Sequence, residues 1–186
     1  MATGIRMKGI EDAEIFAKER HKHQTRDDGK TPYWKHLKKV VENLKDLGIT
    51  HDAILCAGWL HDTIEDTDTD YDDLDDEFGK EVADIVSTVT KDTRMIKKER
   101  EVDYCNRLKS GSWQSQIVKF ADMLANLEDL KNSKMSSSDM KNQAQSKLDY
   151  YDAIKTGLCD SRKNIPHLDS QISRLSDAFS KYGVRI

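Results

Sequence analysis

The chain is poor in proline, glycine and cysteine: its 186 residues include two prolines, nine glycines and three cysteines. So few helix-breaking residues leave room for long uninterrupted helices. The three cysteines are far apart in the sequence and form no CxxC spacing, which argues against a disulfide framework. We therefore expect reduced thiols in an intracellular protein.

Long apolar runs and an excess of positive charge are also missing. No window approaches the length of a membrane span, and the first residues contain no apolar signal core, so we predict no membrane partner and a cytoplasmic location. The formal net charge is −4. Since binding to a nucleic acid backbone needs a basic surface, we predict no nucleic acid partner. A small phosphorylated ligand held by a few local cations is still compatible with this charge.

Helical periodicity is what the sequence does contain. Hydrophobic residues make up 37% of the chain and charged residues 34%, as is typical of a helix-rich globular protein. A helix is predicted from Tyr33 to a stop at Gly48. Thr50 is predicted to cap a further helix that continues through Asp66 and is central, because it is apolar nearly all round. No strand pattern or linker is found, and we predict a single all-α domain over residues 1–186.

The second half of the chain is less uniform. We predict a helix in "KEVADIVSTVTKD", a very charged and partly exposed segment from Lys91 to Arg107, and a helix capped by Ser112. The sequence "KNSKMSSSDMKN" is interpreted as a polar connection. Helices through 148–154 and 168–182 are predicted to complete the domain.

An unusual concentration of acids follows the apolar helix, in "LHDTIEDTDTD". Counted from Asp66, the acids fit several positions of a calcium-binding EF-hand loop that would end at Glu77. The sixth position of such a loop needs glycine for its sharp turn, however, and here it is Tyr71. The acids from Asp70 onward also fit a solvated helix start, where negative side chains are favourable, and we prefer that interpretation.

His61 and Asp62 need a different explanation, because they stand at the end of the most apolar helix, where an unpaired charge is costly. A metal ion would remove that cost, and mixed imidazole and carboxylate ligands suit Mn, Fe, Co or Zn. His36 on the preceding helix and Asp122, within "VKFADMLANL", are candidates to complete the set. Such a set would leave one or two positions for water and substrate.

Four ordered segments of the sequence resemble one known family. They are "HKHQTRDDGKTPYWKH", "LHDTIEDT", "EFGKEVADIVSTVTK" and "VKFADMLANLEDL". The spacing of His36, His61-Asp62 and Asp122 resembles that of the HD-domain metal-dependent phosphohydrolases. Within these, the four segments are similar to the hydrolase domain of the RelA/SpoT family in its stand-alone form, the small alarmone hydrolases.

The resemblance implies an HD-domain helical bundle with its metal and catalytic segments within about residues 21–126. It implies hydrolysis of the 3′-pyrophosphate of (p)ppGpp to GDP or GTP and pyrophosphate, with one Mn²⁺ per chain. The oligomeric state stays open. The residues that it implies are His36, His61, Asp62 and Asp122 as metal ligands, Glu65 and Asp66 as catalytic acids beside the attacking water, and Arg26, Lys97, Asn126 and Tyr150 as substrate contacts.

Physical reasoning agrees with several of these assignments. Glu65 follows Asp62 by three residues and would share its helical face if the helix persists, and Asn126 lies one turn beyond Asp122. Lys119 is a further candidate to offset the charge of a phosphorylated substrate. Two positions depart from the family pattern: Asp27 and Met123 each stand where related enzymes often have a basic residue.

Other functions are compatible with the same ligand set. The wider superfamily shares only the His, His-Asp and Asp ligands, so a 5′-nucleotidase, a dNTP triphosphohydrolase or an NADPH 2′-phosphatase is an alternative. A metal-stabilised binding module without turnover is another. Glu65 and Asp66 argue against that module, because a purely structural site has no need of extra acids beside its ligands.

Overall fold

The computed structural model describes residues 8–186, and the first seven residues of the predicted domain lie outside this range. Within it every regular element is a helix, and the only β-type pairing is an isolated antiparallel bridge between Thr25 and Pro32. The prediction of an all-α fold is therefore confirmed. The helices are α1 Ile10–Arg20, α2 Trp34–Asp46, α3 Asp52–Leu60, α4 Thr63–Asp66, α5 Tyr71–Phe78, α6 Lys80–Val89, α7 Lys97–Ser110, α8 Trp113–Asp129, α9 Ser137–Asp160 and α10 Leu168–Ser180.

Two helices, α3 and α8, form the centre of the bundle. Helix α3 packs against α1, α2, α6 and α8, and α8 also packs against α2, α6, α9 and α10. Every residue of α3 from Ile54 to Leu60 is buried, which confirms the prediction of a central helix. The predicted helix in "KEVADIVSTVTKD" is α6, and its valine and isoleucine residues are buried as well: Val82, Ile85, Val86 and Val89.

Gly58 lets α2 and α3 approach closely. A Cβ atom at this position would lie 2.7 Å from Leu44 Cδ1 and 3.1 Å from Val41 Cγ2, so a larger residue would push the two helices apart. Gly58 is two residues before the end of α3 at Leu60. This contact therefore fixes the position of the residues that follow α3 relative to those on α2.

The prediction of one continuous helix, capped by Thr50 and running through Asp66, is wrong in its N-cap and in its continuity. Helix α3 begins at Asp52, with His51 and not Thr50 at its N-cap, and it ends at Leu60. At its end the His61 Nδ1 atom lies 2.9 Å from the Gly58 carbonyl oxygen, and the Thr63 hydroxyl donates to the Leu60 carbonyl oxygen at 2.7 Å. These side chains use carbonyls that the next helical turn would have needed, and the chain restarts as the short helix α4.

Two predictions for the charged segments were incomplete. The segment from Lys91 to Arg107 is partly exposed, as predicted, but most of it belongs to α7, in which only Tyr104 and Leu108 are buried. The predicted polar connection ends sooner than expected, because Ser136 accepts a hydrogen bond from the Asp139 amide and caps the 24-residue helix α9. Ser112 caps α8 through the Ser115 amide, as predicted.

Within residues 8–186, no helix combines the length and the apolar character that crossing a membrane requires.

The acidic run after Asp68 forms a helix start. The Asp70 carboxylate accepts a hydrogen bond from the Asp73 amide at 2.9 Å, and the Asp73 carboxylate accepts one from the Asp70 amide at 3.1 Å. This reciprocal pair is a capping box, which satisfies amides that have no partner inside the helix. Helix α5 then occupies the residues that a calcium loop would need, and the preferred interpretation of these acids is confirmed.

We expect Asp70→Ala to lower the free energy of unfolding by about 1 kcal/mol, because it removes the N-cap of α5. The matched control is Asp76→Ala, an exposed acid of the same helix, which should change stability by less than about 0.5 kcal/mol. Urea unfolding followed by circular dichroism measures both. Equal losses for the two variants would show that the capping box has no special role.

Candidate metal centre

Four side chains from three parts of the bundle meet at one buried point. His36 comes from α2, His61 and Asp62 follow α3, and Asp122 comes from α8. His61 Nε2 lies 3.0 Å from Asp62 Oδ2 and 3.6 Å from Asp122 Oδ1, and His36 Nε2 lies 3.2 Å from the same Asp122 oxygen. Possible ligand atoms of His36, His61 and Asp62 all lie within 4.8 Å of one another.

The state of the His61 ring suits a metal ligand. Its Nδ1 atom faces the Gly58 carbonyl oxygen, which can only accept, so Nδ1 carries the proton. In the neutral ring, which metal ligation requires, the Nε2 atom has a lone pair that points toward the two carboxylates. Among the described residues, neither His61 Nε2 nor His36 Nε2 has a hydrogen-bond partner, although both are buried. Buried imidazole nitrogens without partners, facing two carboxylates, fit a divalent cation.

The electrostatics of the cluster lead to the same conclusion. Burial alone would lower the pKa of His61, but the charges of Asp62 and Asp122 outweigh it and raise the pKa to about 10. Burial lowers the pKa of His36. Although burial opposes it, the pKa of Asp122 is well below its usual value because of the Lys119 ammonium and the two histidines. Two ionised carboxylates at a buried point attract positive charge strongly.

Tyr33 holds the carboxylate of Asp62 in place. Its hydroxyl lies 2.7 Å from Asp62 Oδ2, to which it donates, and 3.3 Å from Asp66 Oδ2. The Tyr33 ring is itself fixed by stacking on the buried His21 ring, with 4.9 Å between their centroids. Burial and the charge of Asp62 raise the pKa of Tyr33, so the hydroxyl stays a donor. Tyr33 was not predicted to be a site residue from the sequence.

Asp122 is oriented by two neighbours on its own helix. The Lys119 ammonium donates to Asp122 Oδ2 at 2.8 Å, and the Asn126 amide donates to Asp122 Oδ1 at 2.5 Å. Asn126 in turn accepts a hydrogen bond from the Arg26 guanidinium at 2.8 Å. Arg26 also pairs with Asp129 at 3.1 Å. The structure therefore brings Arg26 and Asn126 to the cluster, as the sequence analysis expected.

Glu65 and Asp66 lie on α4 beside the cluster despite the break in the helix. Both acids line one cavity of about 200 Å³ together with Asp62 and Asp122. Glu65 Oε2 accepts a hydrogen bond from the Lys91 amide at 2.9 Å. Its pKa is raised chiefly by burial, against the effect of that hydrogen bond and with the added repulsion of Asp62. A carboxylate with a raised pKa is a stronger proton acceptor.

The far wall of this cavity, which we call the metal cavity, is formed by helix α9 and by Lys91. Tyr150 lines the wall, and its hydroxyl lies 2.5 Å from Glu101 Oε2 and 2.7 Å from the Lys91 ammonium. Gln143 and Lys147 line both the metal cavity and a second cavity of about 170 Å³ beside Arg26 and Asp129. We call this second space the outer cavity.

Lys97 is not brought to the cluster. It is the exposed first residue of α7 and is not among the residues that line the metal cavity or the outer cavity. The cations that the structure does place there include Lys91 and Lys147, which the sequence analysis missed. Lys147 lies three residues before Tyr150 on α9, so the two side chains share a face of that helix. Had the start of α9 been recognised, this spacing would have indicated Lys147 as a further site residue.

Comparison with known proteins gives consistent results. A family model described as an HD domain matches residues 13–156. The guanosine-3′,5′-bis(diphosphate) 3′-pyrophosphohydrolase MESH1 of Xenopus tropicalis is 43% identical over 124 residues, which are 66% of this chain and 69% of the relative. The protein of the same name from Homo sapiens is 40% identical over 121 residues, which are 64% of this chain and 68% of the relative.

A solved structure has a similar fold over nearly its whole length. It is described as a metazoan ortholog of SpoT that hydrolyzes ppGpp and plays a role in starvation responses. The TM-score is 0.80 at 26% sequence identity, and the match covers 94% of this chain and 95% of that one.

His61→Gln should abolish metal retention, because no other described side chain can replace the Nε2 atom at the centre of the cluster. The parent protein, loaded with a divalent metal and dialysed, should keep about one ion per chain. His51→Gln is the matched control, since His51 is an exposed histidine at the other end of α3. Elemental analysis after dialysis measures the ion. Full retention by His61→Gln would refute this ligand.

Tyr33→Phe should weaken metal binding by about tenfold while leaving the fold intact, because Asp62 loses the donor that orients it. Tyr71→Phe is the control, since its hydroxyl donates to Asp84 on the surface. Competition against a chelating dye gives both dissociation constants. If Tyr33→Phe binds metal as tightly as Tyr71→Phe, the hydroxyl does not position Asp62.

Proposed function

The chain belongs to the HD-domain family, and from this premise we propose that it hydrolyses the 3′-pyrophosphate of (p)ppGpp, releasing pyrophosphate and GDP or GTP. A divalent metal is its cofactor, and we propose Mn²⁺ as that metal. The observation that carries the proposal is that four candidate ligand side chains meet at one point, and that two of them, Asp62 and Asp122, line the metal cavity together with two further acids and several cations. Relatives named for this reaction support it, at 40–43% identity.

The metal would be held by His36, His61, Asp62 and Asp122. Mixed nitrogen and oxygen ligands of this kind suit Mn²⁺ among the first-row metals. Such an ion supplies a Lewis acid for phosphoryl oxygens and makes water a better nucleophile at neutral pH. The partnerless Nε2 atoms of the two histidines support this assignment.

Glu65 is proposed to accept the proton of the attacking water. It lies in the metal cavity beside Asp62, and its raised pKa makes it the stronger base of the two. The water oxygen forms a bond to the phosphorus that carries the ribose 3′-oxygen, and the bond between that phosphorus and the 3′-oxygen breaks. The leaving 3′-oxygen takes up a proton from water and becomes the ribose 3′-hydroxyl. Asp66, which shares the Tyr33 hydroxyl with Asp62, is proposed to assist in orienting the water.

The negative charge of the substrate needs cations near the metal. Lys119 and Arg26 are proposed for this role, because both reach the cluster directly or through Asn126. Lys91 adds a third cation, held by Glu101 and Tyr150. Ammonium and guanidinium groups form charge-assisted hydrogen bonds with phosphate oxygens.

Two expectations from the sequence stay as proposals. Tyr150 lines the metal cavity and could offer an aromatic edge to the guanine base. Lys97 would have to reach a phosphate from an exposed position at the start of α7. The cytoplasmic location is likewise still a prediction.

The reaction is tested by incubating the Mn²⁺-loaded protein with ppGpp, a deoxynucleoside triphosphate, a nucleoside 5′-monophosphate and NADPH. We expect pyrophosphate and GDP from ppGpp, and no comparable turnover of the others. Separation of the products by anion-exchange chromatography identifies the broken bond. Release of phosphate from NADPH or of triphosphate from the deoxynucleotide, with ppGpp intact, would identify a different HD-type hydrolase.

Glu65→Gln should keep the metal and the fold but lower kcat for ppGpp by about a hundredfold or more, the usual contribution of a general base. Glu11→Gln, an exposed glutamate on α1, is the matched control and should have the parent rate. Metal content is measured in the same samples. Parent turnover by both Glu65→Gln and Asp66→Asn would remove the chemical role of these acids. A protein that binds ppGpp without any turnover would instead be a binding module.

A further inference from the structure

The cations around the metal cavity differ in whether they already have an acidic partner. Lys119 pairs with Asp122 at 2.8 Å, Lys91 pairs with Glu101 at 3.1 Å, and Arg26 pairs with Asp129 at 3.1 Å. Lys147 has no such partner: over residues 8–186, no carboxylate oxygen lies within 4.0 Å of its ammonium. Among the described residues, the side-chain acceptor of this ammonium is Gln143 Oε1, at 3.5 Å.

The position of Lys147 makes the missing partner unusual. It is half-buried on α9 and lines both the metal cavity and the outer cavity, so it stands at the boundary between them. Burial is the main reason that the pKa of Lys147 falls to about 8; Lys119, Lys91 and Arg26 lower it further, and Asp122 opposes them. An ammonium that is removed from water and surrounded by other cations is stabilised by an incoming anion.

We infer that Lys147 is a substrate-binding residue whose ammonium binds the diphosphate group that occupies the metal cavity. This inference rests on the proposed function, since it takes a diphosphate as the ligand. It assigns to α9 a phosphate contact that neither the sequence motifs nor the metal ligands indicate.

The 3′-diphosphate is a better ligand for Lys147 than a phosphate in the outer cavity. The charged groups that act on Lys147 are Asp122, Lys119 and Lys91 of the metal cavity, together with Arg26. The outer cavity is lined by three carboxylates, Asp27, Asp28 and Asp129, which would repel a second phosphate group. Lys147 therefore completes the set of cations on the metal side of the boundary.

The test uses inorganic pyrophosphate as the ligand, so that it does not depend on turnover. Binding to the Mn²⁺-loaded protein, with free Mn²⁺ held in excess, is measured by calorimetry for the parent, Lys147→Met, Lys147→Arg and Lys141→Met. Lys147→Met keeps the length of the side chain and removes its charge, whereas Lys147→Arg keeps the charge. Lys141→Met is the matched control, because Lys141 is an exposed lysine on the same helix.

We expect Lys147→Met to raise the dissociation constant of pyrophosphate by about tenfold, the usual size of one hydrogen bond to a charged group. Lys147→Arg should stay within about threefold of the parent, and Lys141→Met should be unchanged. With ppGpp as substrate, Lys147→Met should raise KM by a similar factor and leave kcat within about threefold. A purely structural role of Lys147 would not raise KM while leaving kcat nearly unchanged. In that case Lys147→Arg would not restore the parent KM either.

Each outcome decides a different point. Equal affinity of the parent and Lys147→Met for pyrophosphate overturns the inference, whatever the enzyme does with ppGpp. Failure of the parent to bind pyrophosphate overturns it too, because the cavity is then not a diphosphate site. If the parent binds pyrophosphate, Lys147→Met weakens that binding and ppGpp is not hydrolysed, the role of Lys147 stands and only the proposed function fails.

Discussion

The structure depends on one electrostatic constraint: Asp62 and Asp122 bring two carboxylates to a buried point between two histidine rings. Taking ionised carboxylates out of water costs several kcal/mol for each ion unless positive charge compensates them. The protein supplies part of that charge through Lys119, which pairs with the outer oxygen of Asp122. The inner oxygens and the two imidazole Nε2 atoms face one another, and a divalent cation satisfies all of them together.

This constraint explains why α3 is interrupted where it is. A continuous helix would use the Gly58 carbonyl oxygen as an ordinary backbone acceptor, but here the His61 ring takes it. That hydrogen bond fixes both the orientation and the tautomer of His61. The close approach of α2 at Gly58 then places His36 across from it. Backbone geometry of α3 and metal ligation are therefore parts of one arrangement.

The sequence allowed the candidate ligand cluster and the central position of α3 to be predicted, but not everything around them. His36, His61, Asp62 and Asp122 could be found because charged or polar residues on apolar helices are costly and stand out. Helix α7 was missed because it buries only Tyr104 and Leu108, too few residues for a clear periodic pattern. The break at Leu60 depends on side-chain hydrogen bonds to carbonyls, which local propensity does not describe. Tyr33 and Lys147 became visible only when residues distant in sequence shared one cavity.

The distribution of charge resolves an apparent conflict between the composition and the proposed substrate. A chain with a net charge of −4 offers no long-range attraction to a polyphosphate, because exposed charges are screened within about 10 Å at moderate salt. The cations are instead concentrated locally, on three separate segments that meet at the metal cavity: Lys91 before α7, Lys119 on α8, and Lys147 on α9. Of the four acids that line this cavity, Asp62 and Asp122 are metal-ligand candidates, and Asp122 also pairs with Lys119. Selectivity for a compact, highly charged phosphate group therefore follows from the interior of one cavity, and the acidic surface disfavours extended polyanions such as nucleic acids.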